Sequence, residues 1–286
     1  MPVVEDARAE AGLAAGGLGK PEGKETGYYV KPTVVQTTDP RFKLMQEEIF
    51  GPVLHVATFK ASKIDAVVDQ INARGYGLTF GLHTRIDDRV QQIVERIRVG
   101  NTYVNRNQIG AIVGSQPFGG EGLSGTGPKA GGPAYLRRFL SERPVTGEHG
   151  GPEVDVEEIE AAFAGHDGTG WARRSDRVGL LRAALRGAAS EAMAAAAALD
   201  LGPVDLPGPT GESNQYRLVP IGKVLCLGPS STLLAQAVQA LAAGNTVVAV
   251  APGAKQALDR LVRAGMPVAA LDGIVAPASL SRLDID

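Results

Sequence analysis

Two adjacent carboxylates, Glu47 and Glu48, stand directly before Phe50-Gly51-Pro52. A carboxylate placed there can accept hydrogen bonds from a ribose diol while Phe50 offers a flat face to a ring; two glutamates at a turn can equally be plain solvated charges. Further on, Asn105-Arg106-Asn107-Gln108 leads into a glycine-rich run. Arg106 suits a carboxylate-bearing substrate through bidentate pairing, and it suits a structural carboxylate as well. Backbone amides around Gly110, Ala111, Gly114 and Ser115 can receive an anion with no side chain involved.

Other reactive side chains carry less. His55 and His83 fall in strand-like segments and His149 and His166 in glycine-rich links; none has a second ligand at metal spacing. Cys226 is the single cysteine and sits in the apolar segment VLCLG, where a thiol is core filling. One cysteine excludes an intrachain disulfide and agrees with a reducing compartment. Lys129, Arg137 and Arg138 add positive charge near the glycine-rich run, as solvating residues would.

The elements that must position these groups follow from periodicity. Alternation predicts strands at Val53–Phe59, Leu78–His83 and Asn101–Asn105. Between them, Ile64, Val67, Val68 and Ile71, then Val90, Ile93, Val94 and Ile97, mark one face each of helices over 62–75 and 87–99. Strand, helix, strand, helix, strand argues an α/β layer with partly parallel pairing, and ligands of such layers bind beyond the strands' C-terminal ends. Asn105–Gln108 lie at such an end. The segment from Asn101 to Phe139 then concentrates Gly, Asn, Ser and Pro, with Ile109, Ile112, Val113, Phe118 and Leu123 as apolar anchors. We read an ordered binding loop there, against the plainer view that glycines merely let the chain cross its own surface.

Around this centre, a helix end is expected at Val4–Leu13 and a strand at Tyr28–Val35, confined to an edge or bend by Pro32. A linker rich in Pro, Gly and Glu follows Phe139, with a boundary near 146–155. Helices are expected at Val156–Phe163 and Ser175–Ala198, separated by a break at Gly165–Gly170, with Asp176 as a cap. Then Val219–Leu227 reads as a strand, Pro229 to Ala243 as a helix and Thr246–Val250 as a strand. This is the first half of a nucleotide-binding-like unit that lacks the G-x-G-x-x-G fingerprint. With 44% hydrophobic residues and a net charge of -2, neither disorder nor general nucleic-acid binding describes the chain. The Ala-rich run at 183–201 is interrupted by Arg186 and Glu191, so no membrane span is expected.

Taken together, EEIFGPV, NTYVNRN, GAIVG and QPFGGEGLSGTGPKAGGP resemble the end of an aldehyde dehydrogenase catalytic domain, and within that superfamily the L-glutamate γ-semialdehyde dehydrogenase module of bacterial bifunctional proline utilization (PutA) proteins. The second half is similar to the degenerate aldehyde-dehydrogenase-like C-terminal domain of long members of that family, with Gly228-Pro229-Ser230-Ser231 in place of the usual turn. The fold implied is α/β: a partial aldehyde dehydrogenase catalytic domain over 1–146, a linker and short helix over 147–174, and a partial Rossmann-like domain over 175–286. The resemblance implies that Glu48 binds the nicotinamide ribose of NAD and that Phe50 packs beside the nicotinamide. It implies that Ile109, Gly110, Ala111 and Ser115 anchor the substrate carboxylate and that Phe118 closes the aldehyde pocket. It further implies homo-oligomer contacts through a strand or flap at about 133–145, a cytoplasmic location, and room for peripheral membrane association of the whole protein. Nucleic acid is not implied by this stretch.

By the same resemblance, the catalytic cysteine, the general-base glutamate, the oxyanion-hole asparagine and a proline dehydrogenase module using FAD would all lie before Met1. The 286 residues alone are therefore expected to be inactive, and catalytic residues within them number none. The rival reading is a non-catalytic assembly or dimerisation module of α/β fold. A third reading is a gene fragment or assembly error that does not fold alone, whose signature would be exposed apolar surface and unpaired edges at strands Val53–Phe59 and Leu78–His83, the rest of their sheet lying upstream.

Overall fold

The computed structural model describes residues 21–24, 26–37, 45–46, 50–140, 151–166 and 168–283, with the backbone of 12–15. The chain divides into two compact units, Met1–Gly110 with Phe118–Lys129, and Ala111–Pro117 with Ala130–Asp286. Glu47 and Glu48, and residues 141–150, lie outside the described residues.

In the first unit, strands β1 (Gly12–Ala15), β2 (Thr33–Thr37) and β3 (Val53–Ala57) form one sheet, antiparallel between the first two and parallel between the last two. A helix reaching Leu13 is thus not found; Gly12–Ala15 is strand, and 4–11 are outside the described residues. The strand expected from Tyr28 starts only at Thr33, after Pro32, which has no amide to give to a ladder. Thr33 donates to the Pro52 carbonyl at 2.9 Å, the first rung toward β3. The alternation read over 53–105 is present as α1 (Ile64–Asn72), β4 (Tyr76–Gly77), β5 (Thr79–Leu82), α2 (Asp87–Val94) and β6 (Asn101–Val104), with β5 and β6 parallel. Val68, Ile93 and Ile97 are buried with Ile64, Ile71, Phe80 and Leu82 around them, so both apolar helix faces do meet strand β5.

Helix α2 stops at Val94 rather than Val99. Its continuation is diverted because the Asn72 side-chain amide donates to the Arg96 carbonyl and its oxygen accepts the Arg98 amide, both at 2.9 Å. Arg96 reaches back to Asp65 and Asp69 on α1, exposed pairs that add little stability. The two-residue strand β7 (Glu121–Gly122) pairs antiparallel with β4.

The second unit is built on three parallel strands, β10 (Lys223–Cys226), β11 (Thr246–Val250) and β12 (Val268–Leu271). Helices α7 (Ser230–Ala242) and α8 (Ala254–Arg263) are the crossovers. Every residue of β11 is buried: Val247 and Ala249 pack into one core with Leu241, Leu258 and Cys226, and Val248 and Val250 into another with Ile159 and Phe163 of α3 (Val156–Ala164). A continuous apolar strand covered on both faces is the mark of a parallel α/β layer. A short antiparallel hairpin, β8 (Val204–Leu206) with β9 (Asn214–Tyr216), precedes β10.

Four expectations for this unit are corrected. The glycine-rich stretch 165–170 is not simply a break: Gly168–Ala172 forms helix α4, held by the Trp171 indole donating to the Leu241 carbonyl at 2.9 Å. The single helix over 175–198 is two, α5 (Arg177–Leu185) and α6 (Ser190–Ala197), because Arg186 and Ala189 take left-handed backbone angles, φ 49° and 55°. The Leu185 carbonyl at the end of α5 accepts two bonds, from the Ala188 amide at 3.0 Å and from Arg260 of α8 at 2.6 Å. Asp176 precedes α5 without capping it; its carboxylate takes two bonds from Arg174, at 2.8 and 2.6 Å. Residues 133–140 form no strand, and Tyr135–Phe139 is a 3-10 turn. A final short helix, α9 (Pro277–Leu280), follows β12. Among the described residues no helix is long and apolar enough to cross a membrane.

Candidate functional site

Strand β6 ends at Val104, and each polar residue after it has a local task. Asn105, at φ 56°, accepts the Thr84 amide on its side chain at 2.9 Å. Arg106 lies over the Tyr103 ring, 5.2 Å from its centroid, so the guanidinium serves the strand end by a cation–π contact. Asn107 accepts the Ile109 amide at 3.1 Å, an Asx-turn that tilts the chain outward. Gln108 lies against Gly81, where an added Cβ would come within 2.9 Å of its oxygen. The Tyr103 hydroxyl donates to the Gly110 carbonyl at 3.2 Å and fixes where the open turn begins. Burial of that phenol raises its pKa, with Arg106 and Asn101 acting in the opposite sense.

The glycine-rich segment proves to be of two kinds. Gly110 and Gly114 have φ of 77° and 83°, with open space beyond the α-carbon. Only glycine takes such angles without strain. Gly100, Gly120 and Gly122 are the reverse case: an added Cβ would sit 1.7 Å from the Gly119 carbonyl oxygen, 2.4 Å from that of Ser124 and 2.4 Å from that of Gly75. These three let backbones pack. Lys129, expected at the surface, is instead half-buried among them, its ammonium bonded to the carbonyls of Gly100 and, at 2.8 Å, Gly119. Desolvation lowers its pKa, partly offset by Glu121.

Of the apolar residues expected to anchor the loop, Phe118 is half-buried and the other four are exposed. Ile109 is 84% exposed, Val113 94% and Leu123 71%, with Ile112 exposed too. Order comes from polar contacts, which the residue pattern did not reveal. In the second unit, Ser115 and Gln116 donate their amides to the Ile112 carbonyl at 3.2 and 2.9 Å, closing a turn over 112–116. The Ser115 amide is thus spent, and a ligand reaching this residue would meet its hydroxyl. The amides of Gly110, Ala111 and Gly114 donate to no acceptor among the described residues. Ile109, Gly110 and Phe118 belong to the first unit and Ala111 and Ser115 to the second.

Phe50, beside Gly51-Pro52 at the start of β3, is 93% exposed, a ring face open to a ligand. Cys226 is 4% exposed on β10, and desolvation pushes its thiol up to about 11, so it is protonated and shielded at neutral pH. The β10–α7 turn, where a dinucleotide site would lie, is filled by its own bonds: Ser230 donates to the Pro252 carbonyl at 2.6 Å and Gln236 to the Gly228 carbonyl at 2.8 Å. Among the described residues no His, Cys, Asp and Glu cluster could hold a metal.

Comparison with known proteins adds the following. The aldehyde dehydrogenase family profile matches residues 1–145. The bifunctional protein PutA of Rhizobium meliloti is 44% identical over 81% of the chain, which spans 18% of that relative's length. The 1-pyrroline-5-carboxylate dehydrogenase of Bacillus licheniformis is 42% identical over 51% of the chain, corresponding to 27% of that protein. A solved structure of Bradyrhizobium japonicum proline utilization A, in variant form, has 48% identity, covers 50% of this chain and 14% of its own, and superposes with a TM-score of 0.45.

Proposed function

Since the chain belongs to the aldehyde dehydrogenase family, we propose that it supplies cofactor- and substrate-positioning residues to an NAD-dependent L-glutamate γ-semialdehyde dehydrogenase that takes proline degradation to glutamate. The observation that carries this reading lies in the second unit, where Gly114 faces open space and the amides of Ala111 and Gly114 have no acceptor among the described residues. Such amides suit a carboxylate. Relatives named 1-pyrroline-5-carboxylate dehydrogenase share this half of the chain, and that compound is the cyclised form of the semialdehyde.

In this reading Ile109, Gly110, Ala111 and Ser115 receive the carboxylate end of the substrate, and Phe118 covers the aldehyde end. Ile109, largely exposed, excludes water when substrate lies against it. The described residue that tests the fit of NAD is Phe50, whose uncovered ring can stack beside the nicotinamide, and Glu48 would take the ribose diol. NAD supplies the hydride acceptor of the reaction. A thiolate nucleophile must come from elsewhere than Cys226, which is buried and protonated, so the 286 residues by themselves do not turn over. The relatives are several times longer, and the whole enzyme would be such a polypeptide, cytoplasmic and oligomeric. Leu136, Phe139 and Leu140, exposed by 77, 74 and 69%, mark the stretch through which copies would associate, and this favours an assembly role alongside the catalytic one.

Steady-state kinetics of the full-length dehydrogenase test the assignment. Glu48→Ala should raise KM for NAD, and Ser115→Ala should raise KM for the semialdehyde, each by roughly tenfold, the worth of one hydrogen bond to a charged group. Unchanged KM values in both would refute the assigned roles.

A further inference from the structure

Gln116 is among the few polar side chains buried in the described residues, at 8% exposure, and its amide is fully engaged. Its oxygen accepts the Ile112 amide at 3.1 Å, so the residue clasps its own turn. Its nitrogen donates to the Glu212 carboxylate at 3.0 Å and to the Asn214 side-chain oxygen at 3.4 Å, partners 96 and 98 residues further on. All of this lies within the second unit.

The receiving surface is shaped for the purpose. Asn214 opens β9, and its own amide donates to the Pro207 carbonyl at 3.2 Å, which orients its oxygen toward Gln116. Gly208 makes room, since a Cβ there would stand 2.5 Å from the Asn214 nitrogen. Glu212 is fixed by its amide, which donates to the Pro209 carbonyl at 3.1 Å. A buried amide facing a carboxylate is a directional, charge-assisted contact, and removing one side leaves the other unsatisfied.

From this geometry we propose that the β8–β9 hairpin sets the shape of the substrate turn, with Gln116 as a positioning residue and Glu212 and Asn214 as its holders. The C-terminal half of the chain thereby controls affinity for the substrate carboxylate without touching the reacting atoms. The proposal rests on reading the 109–115 turn as the carboxylate site.

The test is a charge-swap rescue. Gln116→Glu sets two carboxylates face to face; adding Glu212→Gln restores a donor and an acceptor across the same gap. In the 286-residue chain, amide exchange at Ile112 and Ser115 should become about tenfold faster in the single variant and return in the double. In the full-length dehydrogenase, KM for the semialdehyde should rise about tenfold and fall back in the same pattern, with kcat and KM for NAD within about twofold. Exchange unaffected by Gln116→Glu overturns the proposal, as does altered exchange with a constant semialdehyde KM. Ser115→Ala tells the two failures apart. If it raises KM while the swap variants do not, only the tether is wrong; if it too is silent, the carboxylate site itself is wrong and the tether's functional role falls with it.

Discussion

Gly110 and Gly114 on one side, and Gly100, Gly120 and Gly122 on the other, divide a single glycine-rich stretch into a part that faces open space and a part that packs. Gly100→Ala should therefore cost about 1–3 kcal/mol in urea unfolding through overpacking, whereas Gly114→Ala should cost about 1 kcal/mol from its left-handed angle alone. Equal costs would contradict the division. Cys226 gives a pH prediction. Its folded pKa, about 11, is raised above the ordinary 9.0, so its contribution is fully present below pH 9 and is lost as pH climbs to 11. Two units correspond to about 3 kcal/mol. Unfolding free energies of wild type and Cys226→Ala should converge over that interval; parallel curves would show the thiol titrating normally. Residue types alone flagged the turn at Gly110–Ser115 because glycine clustering is a local signal. They missed Tyr103, Gln116 and Lys129, whose tasks depend on partners distant in sequence, and they misjudged Ile109, Val113 and Leu123, since apolar identity does not say which side of a loop faces water.

At the scale of elements, periodicity was enough wherever one face meets a core. The spacing Ile64, Val68, Ile71 and Ile93, Ile97 marks both helices of the first unit, and the apolar run Val247–Val250 behind Thr246 marks the central strand of the second. Boundaries failed where a side chain from another element intervened, as Asn72 does at the end of α2. Composition failed at 175–198, because alanine favours helix on both sides of Arg186–Ala189 and carries no sign of the break. The hairpin β8–β9 drew no notice either, its strands being three residues each. The left-handed Ala189 yields a direct check: Ala189→Gly should stabilise the chain by about 1 kcal/mol in chemical denaturation, since glycine bears φ 55° without the Cβ clash. A loss of stability would mean that this residue is not left-handed in solution.

For the whole molecule, the expected apolar exposure is present on β3, where Leu54 is 59% and Val56 37% exposed on a strand paired to β2 on one edge. Such an edge invites self-association, and Leu54→Lys should reduce the concentration-dependent scattering of the purified chain; no change would place the sticky surface elsewhere. The proposed role, in which this chain positions cofactor and substrate while its single cysteine stays buried and protonated, is tested most directly by NADH formation from L-glutamate γ-semialdehyde. The 286-residue chain should give no turnover, while the full-length polypeptide should turn over with a semialdehyde KM raised roughly tenfold by Ser115→Ala. Turnover by the 286 residues alone, abolished by Glu48→Ala or by Cys226→Ala, would contradict it.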